Sequence, residues 1–317
     1  MNNGIKMPAV AFGTYLGFDQ NGVVTPKNHE LRDVVSKAID IGWRHFDTAA
    51  IYGTEQELGE GVRMKIDDGN VKREDIFITT KLWNTKHKRD QVAQALRESL
   101  KNLGLNYVDL YLIHWPIGLN EDNSHSAVDY METWRGMEDV QKLGLAKSIG
   151  VSNFNKGQLE RVLKEGSVKP AALQIEVHPQ ITQSELVDFA QSNDIVVMGY
   201  SPFGSLVNRY DMPLPPPRID DPVLVEIAEK YGKTTPQVVL RWAVDRNIVP
   251  IPKTMKVHRL EENINIFDFK LQKDEIDKIN AFDKGLRYTL PSFWQSHPFY
   301  PFEKIDKPID DPFLKKE

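Results

Sequence analysis

Three apolar runs in this chain end in residues that can hold or move a proton. Trp43-Arg44-His45-Phe46 leads into Asp47 with Tyr52 five residues on at the start of a helix, Ile76 to Thr80 leads into Lys81, and Leu110-Tyr111-Leu112-Ile113 leads into His114. The runs begin near His45, Ile76 and Tyr107, spaced 31 residues apart. A carboxylate at the end of a buried strand is tolerated only with a partner or several donors, so Asp47 requires something cationic, and Lys81 is the candidate. An ammonium beside a tyrosine favours the phenolate and so brings Tyr52 towards proton donation near neutral pH. His114 could orient a carbonyl oxygen or assist the transfer. An oxygen held between Tyr52 and His114 is set up to gain negative charge and then a proton, which is what a carbonyl needs while a hydride reaches its carbon. The sequence holds no His-Glu-x-x-His cluster and no cysteine, and no carboxylate pair stands out at the strand ends. Metal-dependent hydrolysis and two-acid glycoside hydrolysis are thereby disfavoured, and no metal is expected.

The elements that must position these residues repeat along the chain. Leu31, Val34, Val35, Ala38 and Ile39 recur at helical spacing, with Gly42 where a C-terminal cap belongs, just before the strand that ends in Asp47. The pattern continues with a helix through Leu58 and Val62 to Gly69, strand 76–81, a helix through Val92 to Leu103 closed by Gly104, and strand 107–114. A helix marked by Tyr130, Trp134, Met137 and Val140, strand 148–151 and a shorter helix with Leu159 follow. Ala172 to Val177 and Ile195 to Tyr200 read as strands on either side of a helix opened by a capping box, Thr182 to Glu185. Beyond a proline-rich loop come a helix through Leu224 ended by Gly232 and another started by Thr235-Pro236 with the proline at its first position, then a strand from Ile248 to Pro252. Counting Ala11 to Thr14 as the first strand gives eight strands alternating with helices, which predicts a single (β/α)8 TIM barrel over 1–317. Gly4 to Phe12 reads as a short N-terminal hairpin. The tail from Gly285 carries Phe293, Trp294, Phe299, Tyr300 and Phe302, too many aromatics for a disordered segment, and should fold back on the body.

Composition agrees with one globular body. The chain has 317 residues, 40% hydrophobic and 27% charged, with a formal net charge of −5 and a pI near 6.0. That balance gives no global attraction to nucleic acid or to an anionic membrane. No apolar run approaches the ~18 residues of a membrane helix, and no basic leader opens the sequence.

In a barrel the site lies at the carboxyl ends of the strands. The polar residues expected there are Asp47, Lys81, His114, Ser152, Asn153, Gln174, Glu176, His178, Tyr200, Ser201 and Lys253. Each alone has a plain structural role: Asp47 as a helix cap, Lys81 as a solvated strand end, His114 as a core histidine, Tyr52 as a packing residue. Convergence on one face of one barrel is what favours chemistry. The motifs Arg44-His45-Phe46-Asp47-Thr48-Ala49 with Tyr52-Gly53, Thr80-Lys81-Leu82-Trp83, Leu112-Ile113-His114-Trp115-Pro116, Ile149-Gly150-Val151-Ser152-Asn153-Phe154, Gln174-Ile175-Glu176 and Ile251-Pro252-Lys253 resemble those of the aldo-keto reductase superfamily. The match is to the aldose and aldehyde reductase branch, near its steroid-reducing and insect members, and covers essentially the whole chain.

The resemblance implies a catalytic tetrad of Asp47, Tyr52, Lys81 and His114, and NADPH bound extended across the barrel mouth without a Gly-x-Gly-x-x-Gly loop. Ser152, Asn153 and Gln174 match the residues that hold the nicotinamide amide, and Tyr200 the one under the ring. Ser201, Phe203, Ser205 and Leu206 match those along the pyrophosphate, while Lys253, Thr254, Met255, Arg259, Glu262 and Asn263 match the adenosine end, and Gly13, Thr14, Tyr15 and Asp47 also line the cofactor. Tyr52, Trp83, His114, Trp115, Phe293 and Trp294 would face the substrate, an apolar aldehyde or ketone such as a steroid or ecdysteroid. Tyr15 stands where aldose reductase relatives carry Trp, the loop from Pro116 to Ser126 is short, and the loop from Phe18 to Asn28 is longer than usual. Met1 begins where relatives already have several residues behind them, so either the true chain starts upstream or this end is unusually short. A cytoplasmic monomeric enzyme is implied, with secretion open to a chain that starts behind a removed leader. The second reading is a cofactor-binding regulatory or structural protein on the same barrel, as in the family's channel subunits and crystallins.

Overall fold

The computed structural model of the protein describes residues 1–17, 30–206 and 215–309, so the expected long loop from Phe18 to Asn28 lies outside the described residues. Among the described residues eight parallel strands follow one another in chain order: β1 Phe12–Gly13, β2 His45–Asp47, β3 Phe77–Leu82, β4 Val108–Ile113, β5 Ala146–Ser152, β6 Ala172–Glu176, β7 Val196–Tyr200 and β8 Ile248–Ile251. The Ala11 and Gly13 amides donate to the carbonyls of Pro250 and Pro252, each at 3.0 Å, which brings the first and last strands together. Proline serves there because only its carbonyl is asked for.

Ten helices connect and flank the strands among the described residues: α1 Glu30–Ile41, α2 Glu55–Asp67, α3 Arg89–Leu103, α4 Tyr130–Lys142, α5 Lys156–Glu165, α6 Ser184–Ser192, α7 Pro222–Tyr231, α8 Thr235–Asp245, α9 Val257–Ile264 and α10 Lys273–Asn280. Their apolar stripes are buried in one core with the outward faces of the strands, as with Leu31, Val35 and Ile39 of α1 and Val92, Leu96 and Leu103 of α3. Each such side chain contributes about 1.5–3 kcal/mol. Gly104 and Gly232 end α3 and α7 in the left-handed region, both at φ 63°, as their positions in the sequence predict.

Several local expectations are corrected. No strand precedes Phe12, so the N-terminal hairpin is not formed; instead the Gly4 amide bonds back to the Met1 carbonyl, and Met1, Ile5 and Met7 pack beneath the barrel interior. The capping box at Thr182 is absent because the Thr182 hydroxyl is taken by Asp283, 101 residues away, and Gln183 enters α6 in a left-handed conformation at φ 47°. Tyr52 lies in a 3-10 turn, Ala50–Tyr52, rather than in the helix that follows. The cap of α8 is Thr234, bonded to the Gln237 amide, so Pro236 sits second rather than first. Helix α10, whose apolar face is only Ile276 and Ile279, and the 3-10 turn Ser292–Trp294 in the tail are short elements not expected from the sequence.

The strand pleat decides what reaches the site. Side chains alternate across each strand, so every second residue points into the barrel. Ala11, Leu110, Leu112, Ala172, Met198, Val249 and Ile251 fill that interior with Phe77. One inward step beyond this apolar layer come Gly13, Asp47, Lys81, His114, Ser152, Gln174, Tyr200 and Lys253, which form the top layer of the barrel. Gly150, two residues before Ser152, leaves the interior room: a Cβ there would lie 2.4 Å from the Ala172 carbonyl and 2.8 Å from a Leu112 methyl. Gly150→Ala is expected to destabilise the protein by about 1–3 kcal/mol through overpacking. Thermal unfolding would read this as a midpoint several degrees lower, and an unchanged midpoint would contradict it.

Candidate active site

The residues at the ends of β2, β3 and β4 meet as the sequence predicts. Lys81, fully buried, places its Nζ 2.6 Å from Asp47 Oδ1, 2.9 Å from the Thr48 carbonyl and 3.3 Å from the Tyr52 hydroxyl. The Tyr52 and His114 rings are 5.6 Å apart, edge to face. Burial draws the Lys81 ammonium down, but Asp47 and Tyr52 outweigh it and hold the amine above its ordinary value. Burial pushes the Tyr52 phenol up, and Lys81 opposes this without overcoming it, so the phenol stays above its ordinary value. The expected pull of Lys81 on Tyr52 is therefore present but outweighed, and Tyr52 is a neutral O–H donor throughout the neutral range. His114 is held well below the ordinary histidine value by burial and by Lys81, which makes it a neutral imidazole. Its Nδ1 finds no partner among the described residues. Such a ring has one N–H with which to point at an oxygen.

A second group comes from β5 to β7. Asn153 takes a left-handed conformation at φ 62°, which asparagine tolerates better than most residues, and its Nδ2 reaches the His114 carbonyl at 2.9 Å and Ser152 Oγ at 3.3 Å. Its Oδ1 accepts from the Tyr200 hydroxyl at 2.7 Å. Gln174 Nε2 donates to Asp47 Oδ2 at 2.7 Å, tying this group to the first. Tyr200 is half-buried, and burial holds its phenol well above the ordinary value. Thr14 sits at the seam, its hydroxyl 3.1 Å from the Asp47 carbonyl.

The remaining expected residues are spread around the mouth. Phe203 and Leu206 are buried in the core between helices and sheet. Ser205 spends both polar hydrogens inward, on Gln180 and on the Pro217 carbonyl, and Ser201 adopts φ 51°. Lys253 and Arg259 are exposed, Met255 is half-buried, and Thr254 and Asn263 are buried. Arg259 stands in the first turn of α9, which has no acidic residue there, and Glu262 accepts from the Thr234 hydroxyl at 2.5 Å.

The aromatic tail folds back as predicted. Trp294, Tyr300 and Trp115 form a cluster with Ile117 and Leu119, against which Trp83, Phe293 and Phe302 pack. Trp115 and Trp294 are 6% and 1% exposed, so they build the wall from behind. Tyr15, at 40%, and the half-buried Trp83 and Phe293 are the aromatics open to the mouth. Tyr15 lies 5.0 Å from the Tyr52 ring, and Trp83 5.4 Å from that of His114.

What anchors the tail was only half visible in the sequence. Glu176, at the end of β6, accepts from His178 Nε2 at 2.9 Å and from the backbone amides of Tyr288 and Thr289 at 2.8 and 2.9 Å. Glu176 and His178 were recognisable as strand-end polar residues, but amide partners more than a hundred residues on leave no mark in side-chain pattern.

A cofactor such as a nicotinamide dinucleotide fits these residues. Ser152 accepts from Asn153 and so has its hydroxyl hydrogen left to give, Gln174 has its oxygen left to accept, Tyr200 offers a ring face, and two cations stand at the rim.

The model of the aldo/keto reductase family matches residues 9–284. The chain belongs to this family. It is 48% identical to aldo-keto reductase AKR2E4 of Bombyx mori, over 95% of this chain and 97% of the relative, and 37% identical to human aldo-keto reductase family 1 member A1, over the same shares. The crystal structure of the Bombyx mori protein in complex with NADP superposes with a TM-score of 0.90 over 95% of this chain and 97% of that one. A structure of aldo-keto reductase AKR2E5 complexed with NADPH, 44% identical, reaches 0.94 over 100% and 96%. The family member described here thus has the (β/α)8 barrel of its relatives.

Glu176 supplies a pH test of the tail anchor. Burial would push its carboxyl up, but the bonds from His178, Tyr288 and Thr289 outweigh it and leave it below the ordinary value of 4.5. A depressed carboxyl contributes stability that is present above the ordinary value and lost as pH falls through the folded one. Denaturant unfolding should therefore find Glu176→Gln less stable than wild type at pH 7, with the gap narrowing as pH drops below 4.5. A gap independent of pH would show that the charge is not what anchors the tail.

Proposed function

We propose that this protein is an NADPH-dependent oxidoreductase that reduces aldehydes or ketones to alcohols, with Tyr52 as general acid. The observation that carries the reading is the Tyr52 hydroxyl, 3.3 Å from the Lys81 ammonium and beside the neutral His114 ring. Bound NADPH supplies the hydride for the carbonyl carbon. The protein's own part is to hold the carbonyl oxygen between the Tyr52 O–H and an N–H of His114, and to give that oxygen the Tyr52 proton as its charge grows. Lys81 stabilises the phenolate left behind, and Asp47 keeps Lys81 charged and aimed. Desolvation by the aromatic wall strengthens each of these contacts. An intact and assembled tetrad supports an enzyme over a purely regulatory or structural barrel protein.

Ser152, Asn153 and Gln174 orient the nicotinamide amide in this reading, and Tyr200 supports its ring. The rim cations Lys253 and Arg259 read the 2′-phosphate: a cation in the first turn of α9 opposes the helix dipole unless an anion is bound there. Tyr15, Trp83 and Phe293 line the substrate side with apolar surface, which favours an apolar carbonyl compound. A steroid or ecdysteroid ketone is the first class to test, in a screen beside aromatic aldehydes and quinones.

Two outcomes follow from these assignments. Tyr52→Phe removes the proton donor but not the cofactor contacts, so turnover should fall about 10²-fold or more with NADPH affinity nearly unchanged; turnover near the wild-type rate would remove Tyr52 from the role. A charge-assisted phosphate contact contributes ~1.5–3 kcal/mol. Titration should accordingly show the wild type preferring NADPH to NADH, and Lys253→Ala with Arg259→Ala losing on the order of tenfold to a hundredfold in NADPH affinity alone. Equal affinity of the wild type for both cofactors would sink this assignment.

A further inference from the structure

Gln174 is 2% exposed, and its only charged partner in the described structure is Asp47, 127 residues away in the chain and 2.7 Å away in space. A carboxylate only accepts hydrogen bonds, so the Gln174 amide must turn its nitrogen to Asp47 and its oxygen away. The same nitrogen also donates to Met198 Sδ at 3.9 Å, a weak acceptor. Asp47 is thereby gripped on both oxygens, Oδ1 by Lys81 at 2.6 Å and Oδ2 by Gln174. We propose that Gln174 is a positioning residue for Asp47, and through it for Lys81.

The neighbouring amide supports the same assignment of polarity. Asn153 donates to the His114 carbonyl at 2.9 Å and to Ser152 Oγ at 3.3 Å, while its oxygen accepts from Tyr200 at 2.7 Å. The Ser152 hydroxyl is then the donor left over in this corner, and Gln174 Oε1 the acceptor. Without the Gln174 nitrogen, Asp47 Oδ2 would be a buried carboxylate oxygen short of a donor, free to rotate and to release its hold on Lys81. The inference rests on reading this centre as a carbonyl-reducing site, with Lys81 acting on Tyr52.

Two variants test it, Q174E and Q174M. In Q174E a second carboxyl faces Asp47, and two carboxylates so close compete for one proton, which raises the apparent value of the pair. A raised carboxyl contributes stability that is present below its ordinary value and lost as pH rises through the folded one. Cofactor-free Q174E should therefore melt near the wild type at pH 5 and progressively lower towards pH 8. With saturating NADPH its turnover should fall about tenfold or more relative to wild type across the same window, while Q174M, which has no donor at any pH, should be about tenfold or more down throughout. If instead both variants follow the wild-type melts and pH profiles, and only NADPH affinity changes, Gln174 contacts the cofactor alone and the proposal is overturned. The cofactor-free melts decide the Gln174 contact even if Tyr52→Phe retains turnover, so loss of the acid assignment and loss of this one are told apart.

Discussion

The ion pair between Lys81 and Asp47 is the interaction on which the rest of the site depends. Both partners are buried, and an ammonium or a carboxylate taken out of water costs several kcal/mol unless charge and hydrogen bonds return it. The structure returns it on every side: Asp47 to Lys81, the Thr48 carbonyl to Lys81, Gln174 to Asp47. Replacing a buried ion pair by well-packed apolar side chains is often neutral or stabilising in proteins, so stability alone does not account for this set. What the charges provide is a fixed ammonium 3.3 Å from a phenol, in a place where its field is little screened by water.

The barrel makes that arrangement possible through the pleat. Because side chains alternate, an apolar layer closes the interior below and the next inward step on each strand emerges above it. Strands β2 to β4 deliver Asp47, Lys81 and His114, and β5 to β7 deliver Ser152, Gln174 and Tyr200. Gln174 and Asn153 join the two sets, one at Asp47 and the other at the His114 carbonyl. The tail supplies the third side, and it is held by hydrogen bonds from its backbone to Glu176 as well as by aromatic packing.

Electrostatics divides the three titrating groups in a way their types alone do not. Lys81 ends above its ordinary value, Tyr52 above and His114 far below, although all three are withdrawn from water within one cluster. Burial favours the neutral form of each; only Lys81 has a countercharge close enough to reverse it. The site is therefore a neutral donor and a neutral imidazole beside one fixed cation, which suits stabilising an oxygen that is about to become negative.

The sequence by itself determined the strand and helix order, the barrel, the residues of its top layer and the glycines that end α3 and α7. These follow from short-range periodicity and from backbone conformations that only certain residues accept. Even the pairing of Asp47 with Lys81 was legible, because a buried acid demands a cation and the repeat offered one at the matching position. Only the tertiary structure decided the rest. Thr182 was drawn from its capping box by Asp283, the segment before Phe12 packed under the barrel instead of pairing as a hairpin, and Tyr52 came to rest in a 3-10 turn. Gln174 met Asp47, backbone amides of the tail met Glu176, and burial overrode the pull of Lys81 on Tyr52. Each of these depends on a partner distant in the chain or on how much water is excluded, and neither quantity is encoded in the spacing of neighbouring residues.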